Sequence, residues 1–202
     1  MKFPRRAQFS PGFSLVELIV TLALMIVLAT LLFGFSSAKR QRTAKQLCSD
    51  NLQKIFLALQ IYANDSHGDF PCRTNAVTAE DALDLLVPKY STDTAIFICP
   101  GGRDAAIPES ESLRNHKISY AYFMGRHIER AIHFLAADRL VDVSPKRPGE
   151  FVFSPSGKSP GNNHHKYGGN FLFTDGSVEM TPAQLSLAAV VTNGLGLLNP
   201  KP

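Results

Sequence analysis

From Phe13 to Phe35 the chain runs for twenty-three residues with one charge, Glu17, and scattered hydroxyls such as Thr21 and Thr30. Roughly 20 apolar residues, at about 1.5 Å of rise each, span a hydrocarbon core ~30 Å thick. A helix buried in a soluble core is usually shorter and keeps a polar stripe, whereas this segment is apolar around its circumference. The pattern therefore predicts membrane insertion. An ordinary secretory signal, cut after Ser36-Ser37-Ala38, also begins with basic residues, but its apolar region is about 7–15 residues long and holds no acid. Glu17 argues against that reading. A carboxylate in lipid costs on the order of 2.5–3.5 kcal/mol and calls for a partner.

Beyond the span, Cys48, Leu52, Ile55, Leu59 and Tyr62 recur at steps of four, three, four and three, and neither Pro nor Gly occurs between Phe35 and Gly68. This is the period of an amphipathic helix. Joined to the apolar span it predicts one helix from about Phe13 to Asp65, roughly 80 Å long at ~1.5 Å per residue. Asn64 to Gly68, followed by Pro71, supplies the stop. The heptad fades after barely two repeats, too few for a coiled coil. The apolar stripe of this stalk, residues 36–66, is therefore expected to bury against a later sheet.

Thr78-Ala79-Glu80-Asp81 has the form of a capping box, opening a short helix that Pro88 ends and that turns Leu83, Leu85, Leu86 and Val87 inward. The runs Ala95 to Cys99, Ile118 to Met124, Ala131 to Ala136 and Phe151 to Phe153 are rich in aromatic and β-branched residues and lie between Pro, Gly and polar clusters, so they predict strands. Phe171 to Thr174, then Asp175-Gly176, then Ser177 to Met180 form a hairpin signal, because Asp-Gly accepts the positive φ of a two-residue turn. Thr181-Pro182-Ala183-Gln184 offers an N-cap, a first-turn Pro and a capping-box Gln, predicting a last helix. The expected fold class is α+β. A long N-terminal helix, half transmembrane and half amphipathic, packs on a C-terminal antiparallel β-sheet head at 67–202.

With 202 residues, 45% hydrophobic and 19% charged, the chain suits a folded domain and excludes disorder or collagen-like repeats. Its formal charge of +4 hints at nucleic acid, but Lys2, Arg5 and Arg6 stand in the first twelve residues without an acid. The remainder has 18 basic residues, the total of 21 less these three, against 17 acidic ones. No basic surplus is left to neutralise phosphates, so no nucleic-acid partner is expected.

The run Ser10-Pro11-Gly12-Phe13-Ser14-Leu15-Val16-Glu17, behind a short basic leader and ahead of the apolar run, resembles the processing site of type IV prepilins and of type II secretion pseudopilins. The resemblance implies that residues 1–12 are a leader peptide, that a prepilin peptidase cuts after Gly12, and that methylation follows at Phe13. It makes residues 13–35 the transmembrane and filament-core helix. It also makes Glu17 the assembly residue, whose carboxylate meets the amino terminus of a neighbouring subunit. An ammonium and a carboxylate in low dielectric attract strongly, and loss of either leaves a buried unpaired charge.

Three basic residues precede the span and Lys39, Arg40, Arg42 and Lys45 follow it, so a positive-inside count does not orient the chain. The resemblance implies a single-pass protein of the bacterial inner membrane, its leader in the cytoplasm and its head in the periplasm. The second basic cluster then rests against anionic headgroups or forms a solvated turn. The partners implied are the prepilin peptidase, other pilin or pseudopilin subunits in a homo- or hetero-filament, and an inner-membrane assembly platform.

The C-terminal stretch Asn163-His164-His165, Gly168-Gly169-Asn170, Asp175-Gly176-Ser177-Val178 resembles the signature of a pilin-like family of planctomycete-like and verrucomicrobia-like bacteria. Cys48 to Lys54, Tyr62 to Asp65, Gly68 to Pro71 and Cys99-Pro100 are similar to that group's stalk and loops, so the likeness covers most of the chain. It assigns no ligand.

An extracytoplasmic head favours disulfides, but three cysteines leave one over and allow three pairings. Cys72 and Cys99, in loop or strand-end positions, are the expected pair; the alternative leaves all three reduced, with Cys48 a small apolar residue under the sheet. His164, His165 and Asp175 suggest a transition-metal site, although their spacing is unspecific. Some pseudopilins hold Ca²⁺ in a loop of the head, and Asp138, Asn170 and Asp175 offer oxygen ligands of the suitable type without fixing a set of six. The expectation is otherwise no cofactor. No His-Glu-x-x-His helix or Walker loop occurs, and Gly157-Lys158-Ser159-Pro160-Gly161 matches Gly-x-Ser-x-Gly in letters only, in a Pro-, Gly- and Ser-rich stretch and not between a strand and a helix, so no enzyme is expected. The sequence thus points to a structural subunit of a type IV pilus-like or type II secretion pseudopilus filament. The competing reading is an exported soluble binding domain released by an ordinary signal peptidase.

Overall fold

A computed structural model describes residue 12 and residues 14–128, 131–184 and 196–202, with the side chains of 33–38 excepted. Its first element, α1, spans Leu15–Asp65. At its start the Ser14 N–H donates to Glu17 Oε2 at 3.2 Å, satisfying one of the donors that a helix N-terminus leaves open. At its end the chain turns out through His67 and Gly68, both at positive φ, and the Gly68 N–H closes on the Ala63 carbonyl at 2.8 Å. The stop therefore falls where the Asn64–Gly68 segment predicts it.

The chain divides into two compact units, Met1–Lys39 and Arg40–Pro202. In the first, every described side chain from Leu15 to Leu32 is exposed. In the second, Cys48, Leu52, Ile55 and Leu59 of α1 are fully buried, the stripe that the sequence period marks. Burying each of the aliphatic ones contributes about 1.5–3 kcal/mol.

What covers the stripe is an antiparallel sheet in the order β4-β3-β2-β1-β5. Its strands are β1 (Tyr120–Met124), β2 (Phe134–Asp138), β3 (Gly169–Phe173), β4 (Val178–Thr181) and β5 (Gly196–Leu198). Side chains alternate across it. Tyr120, Tyr122, Ala136 and Leu172 join the α1 stripe in one core, while Ala121, Phe123, Ala137 and Phe171 join Leu140, Val152 and Phe153 in a second core on the opposite face. A register shift between Phe134 and Ala136 breaks the alternation once, placing Leu135 and its neighbour Ala136 in the same core.

The short helix α2 (Ala79–Leu83) opens at Thr78, with the Val77 and Thr78 N–H groups donating to Asp81 Oδ2 at 3.0 and 3.1 Å. Leu83 and Leu86 are buried, and Leu85 and Val87 are half-buried. The hairpin stands where predicted, β3 pairing with β4, but its turn differs. Only Gly176 has positive φ, and its N–H reaches the Phe173 carbonyl at 3.0 Å, so Thr174-Asp175 form an ordinary turn and Gly176 a bulge. A Cβ there would lie 2.5 Å from the Phe56 ring of α1, which is the second reason for glycine.

Several strand expectations are corrected. Thr94–Phe97 is a 3₁₀ turn rather than a strand, because the Asp93 side chain caps it by accepting the Ala95 N–H at 3.0 Å. Phe151 makes only an isolated bridge to Gln184. That bridge, with Thr181 ending β4, occupies the segment expected to begin a last helix, and the continuation at 185–195 lies outside the described residues. β5 follows, with too few residues to carry a pattern. Lys45 does not belong with a membrane-facing basic cluster. Its ammonium donates to the Tyr167 and Thr181 carbonyls at 3.0 and 2.7 Å, inside the head.

Candidate functional sites: an unpartnered apolar helix and a buried polar cluster

Among the described residues, two places stand out for their chemistry. One is the start of α1. Leu15–Leu32 is long and apolar enough to cross a membrane, and none of it is buried against the described residues. A contiguous apolar surface of this kind is not left to water. Glu17 stands in its first turn as the only acid. Gly12 is exposed, while Phe13 lies outside the described residues.

The other lies beneath the sheet. Cys48 on the buried face of α1, Cys99 after the Thr94–Phe97 turn, Asp138 at the end of β2 and His164 in the loop before β3 present their ligand atoms within 4.8 Å of one another. All four are buried. Cys48 and Cys99 form a disulfide with a Cα–Cα distance of 5.3 Å. The expected Cys72–Cys99 bond is thus replaced, and Cys72 is exposed and free. The reason is tertiary: packing of the α1 stripe places Cys48 beside Cys99, and the period that marked Cys48 as apolar carries no information about what it meets.

Asp138 is the hub of this cluster. Its Oδ1 accepts from Asn163 Nδ2 at 3.0 Å, and its Oδ2 accepts from the Asn170 backbone N–H at 2.8 Å and from Asn170 Nδ2 at 3.0 Å. His164 Nε2 stands 3.1 Å from Oδ2 and 3.6 Å from Cys99 Sγ. The Asn170 amide also donates to the Lys45 carbonyl at 3.0 Å, tying β3 to α1. The charge of Asp138 is felt nearby. Burial lowers the Lys45 pKa, and Asp138 acts in the opposite direction. Burial and then Asp138 raise that of Tyr120 well above its ordinary value.

The oxygen set expected for Ca²⁺ does not assemble. Asp138 and Asn170 touch, but Asn170 faces the carboxylate with its donors. Asp175 sits beyond the far end of β3, exposed, where its Oδ1 accepts the Ser177 N–H and hydroxyl at 2.9 and 2.6 Å and its pKa is lowered by those bonds. The histidine pair also divides: His164 is fully buried and His165 is exposed. Nor do Cys99, His164 and Asp138 form a proton relay from thiol to carboxylate, because sulfur and carboxylate approach the same imidazole nitrogen. The convergence of the two cysteines with Asp138 and His164 was not foreseen. In the sequence these four residues stand far apart, Cys48 on a helix stripe, Cys99 before a Pro, and Asp138 and His164 downstream, with no spacing that joins them.

No protein-family model, curated protein or solved structure matches the chain.

Proposed function

We propose that this chain is a pilin-like structural subunit, inserted in a membrane by its apolar helix, cut after Gly12, and assembled through that helix into a filament of the type IV pilus or type II secretion pseudopilus kind. The single observation that carries the reading is the exposure of every side chain from Leu15 to Leu32, with one carboxylate, Glu17, in the first turn. Such a surface is covered by lipid before assembly and by the same helix of neighbouring subunits after it. The carboxylate needs a cation in both settings. Cleavage after Gly12 creates one, since the new α-amino group at Phe13 carries a positive charge and belongs to an equally apolar segment. Pairing the ammonium of one subunit with Glu17 of the next sets the stagger between helices, because a mispaired register leaves two charges buried alone. The cut removes Lys2, Arg5 and Arg6, three charges that would oppose extraction from the bilayer. The head, whose sheet packs on the buried stripe of α1, is carried on the filament.

The test is the mature amino terminus, read by mass spectrometry on protein from the membrane fraction of a bacterial host with a compatible prepilin peptidase. N-methylated Phe13 is the expected result. A start near Ala38 would instead identify an exported soluble domain, and filament assembly through α1 would be excluded.

A further inference from the structure

The buried cluster carries more polar chemistry than a structural disulfide uses. A Cys–Cys bond under a sheet is complete with apolar neighbours, yet Cys48 and Cys99 are faced by a carboxylate and an imidazole, both fully buried, and His164 Nδ1 has no hydrogen-bond partner. Two sulfurs, a nitrogen and an oxygen make up the donor set of a tetrahedral zinc site. The spacings agree. With Zn–S near 2.3 Å and Zn–N or Zn–O near 2.0–2.1 Å, the edges of the tetrahedron are about 3.6 Å between sulfur and nitrogen and about 3.3 Å between nitrogen and oxygen. The observed Cys99 Sγ–His164 Nε2 and His164 Nε2–Asp138 Oδ2 distances are 3.6 and 3.1 Å.

The surroundings fit as well. The Gly101 N–H points at Cys99 Sγ from 3.4 Å, as donors do around metal thiolates. Asp138 is fixed by Asn163 and Asn170, the outer hydrogen bonds that orient a ligating carboxylate. A Cβ at Gly101 would fall 2.7 Å from His164 Nδ1, so the loop closes over the imidazole only with glycine there.

We infer that, before the Cys48–Cys99 bond is made, the thiol form of the head binds one Zn²⁺ through Cys48, Cys99, Asp138 and His164, and that disulfide and zinc are alternative closures of the same site. In the binding step two S–H bonds break, two Zn–S bonds form, and two protons leave to solvent. Asp138 supplies an oxygen, and His164 gives its Nε2 lone pair as the tautomer that carries its proton on Nδ1. No electron is transferred. The disulfide excludes the ion because its sulfurs are neutral and lack the thiolate charge that binds zinc.

The test uses the full chain in detergent micelles, oxidised or reduced by a phosphine that offers zinc no thiol, titrated with Co²⁺ and then Zn²⁺. The reduced chain should take up one equivalent of cobalt with thiolate charge-transfer bands and the strong visible bands of a tetrahedral ion, both abolished by one equivalent of zinc. The oxidised chain should show neither. Cys72→Ser should bind as the natural chain does, while His164→Gln and Asp138→Asn should bind about 100-fold more weakly or not at all. X-ray absorption at the zinc edge of the unaltered reduced chain should report two sulfur and two lighter neighbours, a reading that does not depend on any variant folding. Absence of a cobalt spectrum after reduction, equal binding by the oxidised chain, undiminished binding by both variants, or a different ligand count would each overturn the assignment.

Discussion

Asp138 shows how one side chain holds a region together. It accepts three hydrogen bonds from two asparagines while His164 Nε2 stands 3.1 Å from its Oδ2, and Asn170 passes the connection to α1. Asp138→Ala strands these buried donors, and its expected cost is about 3–5 kcal/mol, measured by chemical denaturation followed through the near-ultraviolet dichroism of the tyrosines. Asp81 makes a smaller and pH-dependent contribution. The Val77 and Thr78 N–H groups, in that order, hold its pKa below the ordinary 3.8. A carboxylate whose folded value is depressed stabilises above the unfolded value and loses that contribution as the pH falls through the folded one. Asp81→Asn should therefore cost about 1 kcal/mol at neutral pH, and the gap between variant and natural chain should close below about pH 3.8. Of these two acids, Asp81 was legible from its capping box. Asp138 was legible only as an oxygen ligand, because its donors stand 25 to 32 residues away.

At the scale of elements, local signals served where an element is decided by its own residues. The α1 stripe, the α2 capping box and the position of the β3–β4 hairpin are of that kind, although the turn itself falls at Thr174-Asp175 with Gly176 as a bulge. The 3₁₀ turn at Thr94–Phe97 is not, since a short apolar run does not distinguish strand from helix turn and the Asp93 cap decides it. β5 exists because β1 offers an open edge, a property of the sheet and not of Gly196–Leu198. The hairpin supplies a direct check. Gly176→Ala must place a side chain at φ +84° and move the Phe56 ring, so thermal unfolding should show a loss of about 1–2 kcal/mol.

For the whole molecule, the Cys48–Cys99 bond joins residues 51 apart in sequence, linking the helix to the segment that leads into the sheet. On the chain-entropy account a loop of this size contributes about 4 kcal/mol, so reduction in the absence of metal should lower the denaturation midpoint by a corresponding amount. Zinc should restore much of it. Assembly is tested at the same scale: Glu17→Ala should leave membrane insertion and cleavage intact and reduce incorporation into filaments by about tenfold or more, scored by the fraction of subunit recovered in sheared filaments. Equal recovery of the variant would remove the role given to Glu17.

The sequence by itself determined the apolar span with its single acid, the amphipathic continuation and its stop, the β3–β4 hairpin and the α+β class. Each of these is written in composition or in a repeat of two to four residues, the range over which helix and strand geometry acts. Only the tertiary structure decided that Cys48 rather than Cys72 pairs with Cys99, that Lys45 is drawn into the head, and that Asp138 and His164 complete a cluster around the two sulfurs. Those four side chains lie on a helix, after a turn, at a strand end and in a loop. Their meeting is fixed by sheet register and by the packing of α1 on the sheet, which no local pattern records.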